Sequence, residues 1–315
     1  MFNSTHTFVG VAIARTGADD WVPYAGLTAV IASNLPDIDI VTAATGTATY
    51  IDYHRGFTHS FLGVPFFSLI VAAGMYYFSG KFWRTFTVAL IAMATHPVLD
   101  YLNTYGLRPF SPLDDTWYYG DILYIIDPYV DGVLLLGILA GALFESSRKV
   151  MAWVSLIFVV AYVGARIELR SMAASHVEEF VMKTPGVDKW TLFPDMVNPL
   201  AWDGIIQTRS QMLKIRVHAL NGMQEEIARL SRGSPSDIVN RVAKTESAGA
   251  LLRFSRFPVA RIEGIRFGSV GYRVMFFDFA FYNDANHTAL GSEIILDQSL
   301  HVIKETLSFG QVIAD

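Results

Sequence analysis

Four stretches of the chain are apolar over most of their length: Phe57–Ser79, Phe82 to about Leu102, Ile122–Phe144 and Val150–Gly164. Wound as helices at about 1.5 Å per residue, three of them reach across roughly 30 Å of hydrocarbon, and the fourth is marginal. Two shorter apolar runs, Thr7–Ala14 and Trp21–Leu35, lie upstream, separated by a polar break from Arg15 to Asp20. They predict tilted spans or a re-entrant helical hairpin packed inside protein. The N-terminal run has neither the basic leader nor the small-residue cleavage site of a signal peptide, so it reads as retained structure. Beyond Arg166 the pattern turns charged and amphipathic. Thr184–Asp203, with Pro185, Pro194 and Pro199, reads as an extended linker; Gln211–Ser231 reads as a strand or helix followed by an amphipathic helix. Tyr272–Tyr282 and Ser292–Ile303 are rich in strand formers. The expected architecture is a multi-pass α-helical membrane domain of four to six membrane helices over residues 1–170. A small α+β extramembrane domain over residues 171–315 follows it.

Composition sharpens this picture. Of the 315 residues, 52% are hydrophobic and 17% charged, and the mean hydropathy is +0.35, which excludes a disordered chain. There is no Cys, so disulfides and thiolate metal sites are excluded and any metal must be held by His, Asp or Glu. The net charge of -5 is unevenly placed: residues 1–165 carry 12 Asp/Glu against 7 Lys/Arg, whereas residues 166–315 carry 17 of each. Carboxylates are costly in an apolar environment, so those of the first half need partners.

The acids of the apolar half fall beside histidines at the ends of the runs: His6; Asp37 and Asp39 in LPDID; Asp52, His54 and His59 in DYHRGFTHS; His96 and Asp100 in THPVLD; Asp127 and Asp131 in DPYVD. His96 and Asp100, like Asp127 and Asp131, are four apart and so share one helix face. Pro36 ends the preceding helix and leaves Asp37 and Asp39 in a turn, while Gly56 suits a loop between His54 and His59. Consecutive antiparallel helices alternate direction, and the five groups alternate between starts and ends of their runs. All five therefore fall on one side of the membrane, as a common metal site requires. The four histidines of the second half, His176, His218, His287 and His301, lack ligand spacing and read as ordinary surface or core positions.

Imidazoles and carboxylates without thiolate suit Zn²⁺, Mn²⁺ or Fe²⁺, and nine potential ligands exceed what one tetrahedral ion needs. Two or three divalent ions, with Zn²⁺ the expected metal, would activate water and clamp a phosphoester. A carboxylate not spent on metal, Asp52 or one of Asp37 and Asp39, is the candidate base, and Arg55 is the candidate partner of substrate charge or of a ligand Asp. HExxH, the phosphate-binding GxxxxGK[ST] and the GxSxG elbow are all missing, as is a basic stripe for nucleic acid.

LPDID, HRGFTHS and THPVLD together resemble the bacterial and archaeal family of membrane-bound metal-dependent hydrolases that includes a LexA-regulated inner-membrane member. The resemblance covers about residues 1–170 and implies a membrane hydrolase. In motif order that family is distantly similar to zinc-dependent phospholipase C, an all-helical enzyme with three zinc ions. The likeness implies ligand roles for His6, Asp37 or Asp39, His59, and His96 with Asp100, with Asp127 and Asp131 in the place of its last pair. No His lies between Asp100 and Asp127 and the last pair is Asp/Asp, so a two-metal site is the safer carry-over.

Arg15, Lys81, Arg84, Arg148 and Lys149 lie in loops opposite the proposed site, against Arg55 and Arg108 on its own side. The positive-inside rule then places the site and the C-terminal domain on the periplasmic face of an inner membrane. Trp117, Tyr118, Tyr119 and Tyr124 are candidate interfacial anchors. These readings give a metal-dependent hydrolase acting on a phosphoester of a membrane lipid or lipid-linked substrate. The alternatives are a metal or ion transporter, and a membrane anchor in which metal only staples helices for the C-terminal domain.

Overall fold

The computed structural model describes residues 1–232, 236–267, 269–282 and 290–309; His287 lies outside them. The first apolar run forms α1 (Asn3–Ile13), which passes through a π-helical turn at Ala14–Ala18 into the single turn α2 (Asp19–Trp21). Gly17, at φ 138°, breaks the helix there. The second run forms only α3 (Ala25–Asn34); from Leu35, next to Pro36, the chain tightens into a 3₁₀ run that continues to Thr45. After α4 (Thr47–Tyr53) and the 3₁₀ turn Phe57–His59 come α5 (Gly63–Ser79), α6 (Phe82–Tyr101), α7 (Pro128–Leu143) and α8 (Arg148–Lys183).

The expectation of four to six membrane helices is corrected by this geometry. Among the described residues, two helical segments are long and apolar enough to cross a membrane, Ala25–Thr45 and Glu145–Lys183. A third arises if the bent pair Thr47–His59 and Gly63–Ser79 counts as one span. The reasons are local. Helix α6 has the length, but Arg84, Thr85, Thr87, Thr95, His96 and Asp100 dilute its apolar character. Helix α7 starts only at Pro128, because Asp127 caps it and the preceding residues run extended, and its 16 residues span only about 24 Å. Helix α8 has nothing to stop it after its apolar first half and continues as one 36-residue rod of about 54 Å, well beyond a hydrocarbon core.

Contact clustering divides the chain into two units. The first holds Met1–Asp39, Arg55–Met172 and Phe193–Ala201. Its helices pack in the pairs α1–α3, α3–α6, α5–α6 and α1–α7. The seams are lined by Ala25, Ala29 and Ala32 of α3 and by Ala89 and Ala92 of α6, all fully buried, and such small residues let backbones approach closely. Large apolar side chains instead point outward, among them Tyr77, Trp83, Leu136 and Val160 at 88%, 71%, 67% and 73% exposure, as a surface facing lipid requires.

The second unit holds Ile40–His54, Ala173–Leu192 and Trp202–Asp315. It is mostly β-structure, in two four-stranded sheets with sequential order. One contains β1 (Val187–Pro194), β2 (Ala201–Thr208), β3 (Gln211–His218) and β4 (Gly222–Ser231). The other contains β5 (Pro258–Phe267), β6 (Ser269–Asp278), β7 (Leu290–Leu296) and β8 (Val302–Phe309), all antiparallel. Two short helices, α9 (Asp237–Val242) and α10 (Glu246–Phe254), link the sheets.

Two further expectations change. The supposed linker supplies β1 and β2, with Pro194 ending one strand and Pro199 in the connection, positions where a missing N–H costs no ladder bond. The supposed amphipathic helix is β4, paired antiparallel with β3. Its Glu225, Glu226 and Arg229 mimic a helical polar face because β4 is an edge strand, and charges there block further strand pairing.

The tight turn into α5 depends on Gly63, where a Cβ would lie 1.8 Å from the Phe57 carbonyl oxygen. Gly63→Ala is expected to lower stability in detergent by about 1–3 kcal/mol, an overpacking cost. Gly74→Ala, which meets nothing within 4 Å, should leave the thermal midpoint unchanged or slightly raised.

Candidate metal centre

Three helical or turn segments of the first unit bring four acidic or imidazole groups to a common point. The 3₁₀ run after α3 brings Asp37, the turn before α5 brings His59, and one face of α6 brings His96 and Asp100. His59 Nε2 and His96 Nε2 are 3.1 Å apart. Asp37 Oδ1 is 3.5 Å from His59 Nε2 and 3.4 Å from His96 Nε2. Asp100 Oδ2 is 3.4 Å and 3.5 Å from the same two nitrogens. A regular tetrahedron with metal–ligand distances of about 2.0–2.1 Å has edges of about 3.3–3.4 Å, so these separations fit a single tetrahedrally held metal ion.

The hydrogen-bond pattern shows that all four atoms offer lone pairs. His96 Nδ1 donates to the Ser33 carbonyl at 2.7 Å, which leaves Nε2 of the neutral ring as an acceptor. Thr58 Oγ1 donates to Asp39 Oδ2 at 3.1 Å and accepts from His59 Nδ1 at 2.9 Å, so His59 Nε2 is an acceptor too. Two carboxylates and two imidazole lone pairs meeting in a buried place are positioned to hold a cation between them. The residues present therefore fit a divalent metal, and the two carboxylate charges balance it. Asp37 is the one of the four with appreciable exposure, 19% of its side chain, and it marks the open side of the centre.

The surrounding groups hold this arrangement. Asp39 accepts from the Arg55 backbone N–H at 3.0 Å as well as from Thr58, and it orients His59 rather than joining the four converging atoms. The buried Arg55 guanidinium donates to Asn103 Oδ1 at 3.0 Å and to the Gly106 carbonyl at 3.1 Å, lies 3.3 Å from Asp100 Oδ2, and sits over the Tyr105 ring. Asn103 Nδ2 reaches the other oxygen of Asp100 at 3.3 Å. Arg55 is thus a partner of a ligand carboxylate.

His6 is stacked on His96, with ring centroids 3.6 Å apart, and its Nε2 is 3.5 Å from Asp100 Oδ1. Both its ring nitrogens are buried without a hydrogen-bond partner, which marks a second place where a cation would satisfy a lone pair. The Met1 nitrogen also donates to Asp100 Oδ1.

Three of the remaining carboxylates have donors of their own. Asp127 caps α7, accepting from Tyr129 N at 3.0 Å and Val130 N at 3.1 Å, and it also accepts from the Tyr162 hydroxyl. Asp131 accepts from Thr5 Oγ1 at 2.5 Å. Asp52 and His54 belong to the second unit, where Asp52 forms a two-point ion pair with Arg253 and His54 stacks on Tyr50. That pairing raises the Arg253 pKa further above its already high ordinary value. Ser33, Thr58 and Asn103 escaped the sequence reading, because a backbone carbonyl and neutral side chains carry no ligand signature. Asn103, three residues after Asp100 at a helix end, was the one with a signal to find.

A second solvent-facing end of the first unit gathers the opposite set of charges. Arg148 pairs with Asp19, Lys149 with Asp20, and Arg84 sits over the Trp21 ring.

Comparison with known proteins places the chain in a family. No solved structure matches it. The uncharacterized protein YfhP of Bacillus subtilis (strain 168) is 32% identical over 140 residues, covering 41% of this chain and 43% of that protein. The match thus spans less than half of that relative's length. The likeness to phospholipase C drawn from motif order has no counterpart in these matches. The family of the YdjM inner membrane protein matches residues 1–173, the stretch that contains every group of the metal centre and more than half of the chain. The protein accordingly belongs to the YdjM inner membrane protein family.

Proposed function

We propose that this protein is a membrane-embedded metal-dependent hydrolase that cleaves a phosphoester of a lipid or lipid-linked substrate at the bilayer interface. The observation that carries the reading is the convergence of Asp37, His59, His96 and Asp100 at tetrahedral spacing, with one side of the cluster open at Asp37. A dication held there, Zn²⁺ in the first place, would supply Lewis acidity and a water acidic enough to attack phosphorus near neutral pH. His6 with Asp100 Oδ1 would hold a second ion, so that Asp100 presents one oxygen to each position. Ser33 and Thr58 hold the two imidazoles in the ligating tautomer, and Arg55 with Asn103 holds Asp100 in place. Asp39, fixed beside His59, is the nearest further carboxylate to take a proton from water.

A lipid substrate is supported by the apolar rim on the loops that bear the centre. Phe61, 68% exposed, follows the His59 turn, and its ring lies 5.4 Å from that of the half-exposed Phe110, which in turn meets Tyr118. The basic residues at the far end support a periplasmic site under the positive-inside rule.

Purified full-length protein is expected to carry one or two zinc ions per chain by elemental analysis and to release phosphate or phosphoalcohol from phospholipid or lipid-linked phosphate in mixed micelles. His96→Ala combined with Asp100→Ala should remove the metal and the release together. Activity that survives the double variant, or metal-loaded protein that is silent across such a screen, overturns the hydrolase reading.

Arg55→Lys keeps the charge but loses the fork that joins Asn103, Gly106 and Asp100; metal affinity should fall about tenfold, the lower end of what outer partners of a ligand contribute. An unchanged affinity would show that Arg55 does not hold Asp100.

The absence of native Cys allows single-Cys labelling. Leu113→Cys should react with an impermeant maleimide from the periplasm and Ser146→Cys from the cytoplasm only; reversed labelling inverts the orientation.

A further inference from the structure

The segment Ile40–His54 interrupts the metal centre in sequence. It leaves the first unit after Asp39, belongs to the second, and returns at Arg55. Both residues that bound it are part of the centre: Asp39 lies beside His59 Nδ1 at 3.6 Å, and Arg55 touches the ligand oxygen Asp100 Oδ2. They are also bonded to each other, Arg55 N to Asp39 Oδ2. The strap is thereby closed at its base by a hydrogen bond inside the centre. Arg55 stands at φ 57°, in the left-handed region that a residue other than glycine adopts only when its surroundings hold it there.

Away from the base, the strap is anchored within the second unit. Gly46, at φ 131°, turns the 3₁₀ run into α4, which packs on α10 and β8. Ala48 and Ile51 are the buried residues of α4, and Ala248, Leu251 and Phe254 are among those of α10. At the edge of this contact Arg253 grips Asp52 at two points, Nε to Oδ1 at 2.9 Å and Nη2 to Oδ2 at 2.7 Å. Asp52 is two residues from His54 and three from Arg55, so only two residues of chain separate the gripped carboxylate from Arg55.

We propose that Arg253 is a positioning residue for the metal centre: by fixing Asp52 it holds the returning end of the strap so that Arg55 and Asp39 keep Asp100 and His59 in ligating register. The C-terminal unit then acts on the chemistry of the membrane unit through this strap. The proposal rests on the metal-centre reading for its consequence, and on geometry alone for the coupling.

Arg253→Glu places two like charges at the grip, and the exchanged pair Asp52→Arg/Arg253→Asp restores attraction. Arg229→Glu, which breaks a comparable exposed pair with Glu226 on β4, is the control. Two measurements on the full-length protein separate the two levels. In metal-free protein, hydrogen exchange of the peptide containing the Arg55 amide should speed up about fivefold in Arg253→Glu, recover in the exchanged pair and stay at the wild-type rate in Arg229→Glu, on the scale of one partly exposed ion pair. Co²⁺ titration followed by its visible absorption should show affinity falling by a similar factor, with the same recovery. Faster exchange in a protein whose wild type binds no Co²⁺ would sustain the coupling and overturn the metal reading. Co²⁺ bound by the wild type, with neither exchange nor affinity responding to Arg253→Glu, would overturn the proposal, as would a response equal to that of Arg229→Glu.

Discussion

Four lone pairs pointed at one another inside an apolar protein are the constraint around which the membrane unit is arranged. Burying a polar group without a partner costs several kcal/mol, and two buried carboxylates a few ångströms apart repel as well. Asp37, His59, His96 and Asp100 tolerate their 3.1–3.5 Å separations only with positive charge between or beside them. Arg55 and the Met1 ammonium supply such charge at the edge, and the four groups are positioned to take a metal ion at the centre. The neighbouring hydrogen bonds have the same sense: the Ser33 carbonyl and the Thr58 hydroxyl each take up the far nitrogen of a ring, leaving its near nitrogen to ligate.

That constraint explains why the helices of this unit are short and interrupted. A metal centre built from three segments needs turns where ligands can be aimed, and those turns come at the expense of uninterrupted spans. Pro36 and the 3₁₀ run aim Asp37; Gly56 and the 3₁₀ turn at Phe57–His59 aim His59; and Gly63 lets α5 start directly against that turn. Alanine seams between α3 and α6 then bring Ser33 within reach of His96. Irregular backbone at this depth is tolerable because it is enclosed by protein and its polar groups are bonded there.

The strap ties this centre to a domain of different character. Its residues are encoded between two ligand groups yet pack with α10, so Asp52 meets a residue 201 positions away instead of the histidines two and seven positions along. An ionisable residue inside a ligand-rich motif is thus taken up by an ion pair within the second unit.

Much of the centre was legible in sequence. The i, i+4 pair His96 and Asp100, the turn after Pro36 and the histidine of HRGFTHS each carry a local geometric reason to face a common point. Helix starts at Pro128 and strand formers around Tyr272–Phe277 were legible for similar local reasons. The number of spans was not, because hydropathy registers apolar length and is blind to a π-helical break at Gly17 or to the bend between Thr47–His59 and Gly63–Ser79. The edge strand β4 was misread because charges on an exposed strand and on an amphipathic helix give similar patterns over ten residues.

What the sequence determined by itself was the chemistry available: imidazoles and carboxylates, no thiol, and their placement at the ends of apolar runs. What only the tertiary structure decided was which of nine candidates share a point. Ligation depends on side-chain atoms meeting within about 3.5 Å, and that distance is set by helix packing, caps and partners remote in sequence. Asp127 went to the helix N-terminus that Pro128 marks, whereas Asp131 went to Thr5 and Asp52 to Arg253, hydrogen-bond donors that no local pattern announces.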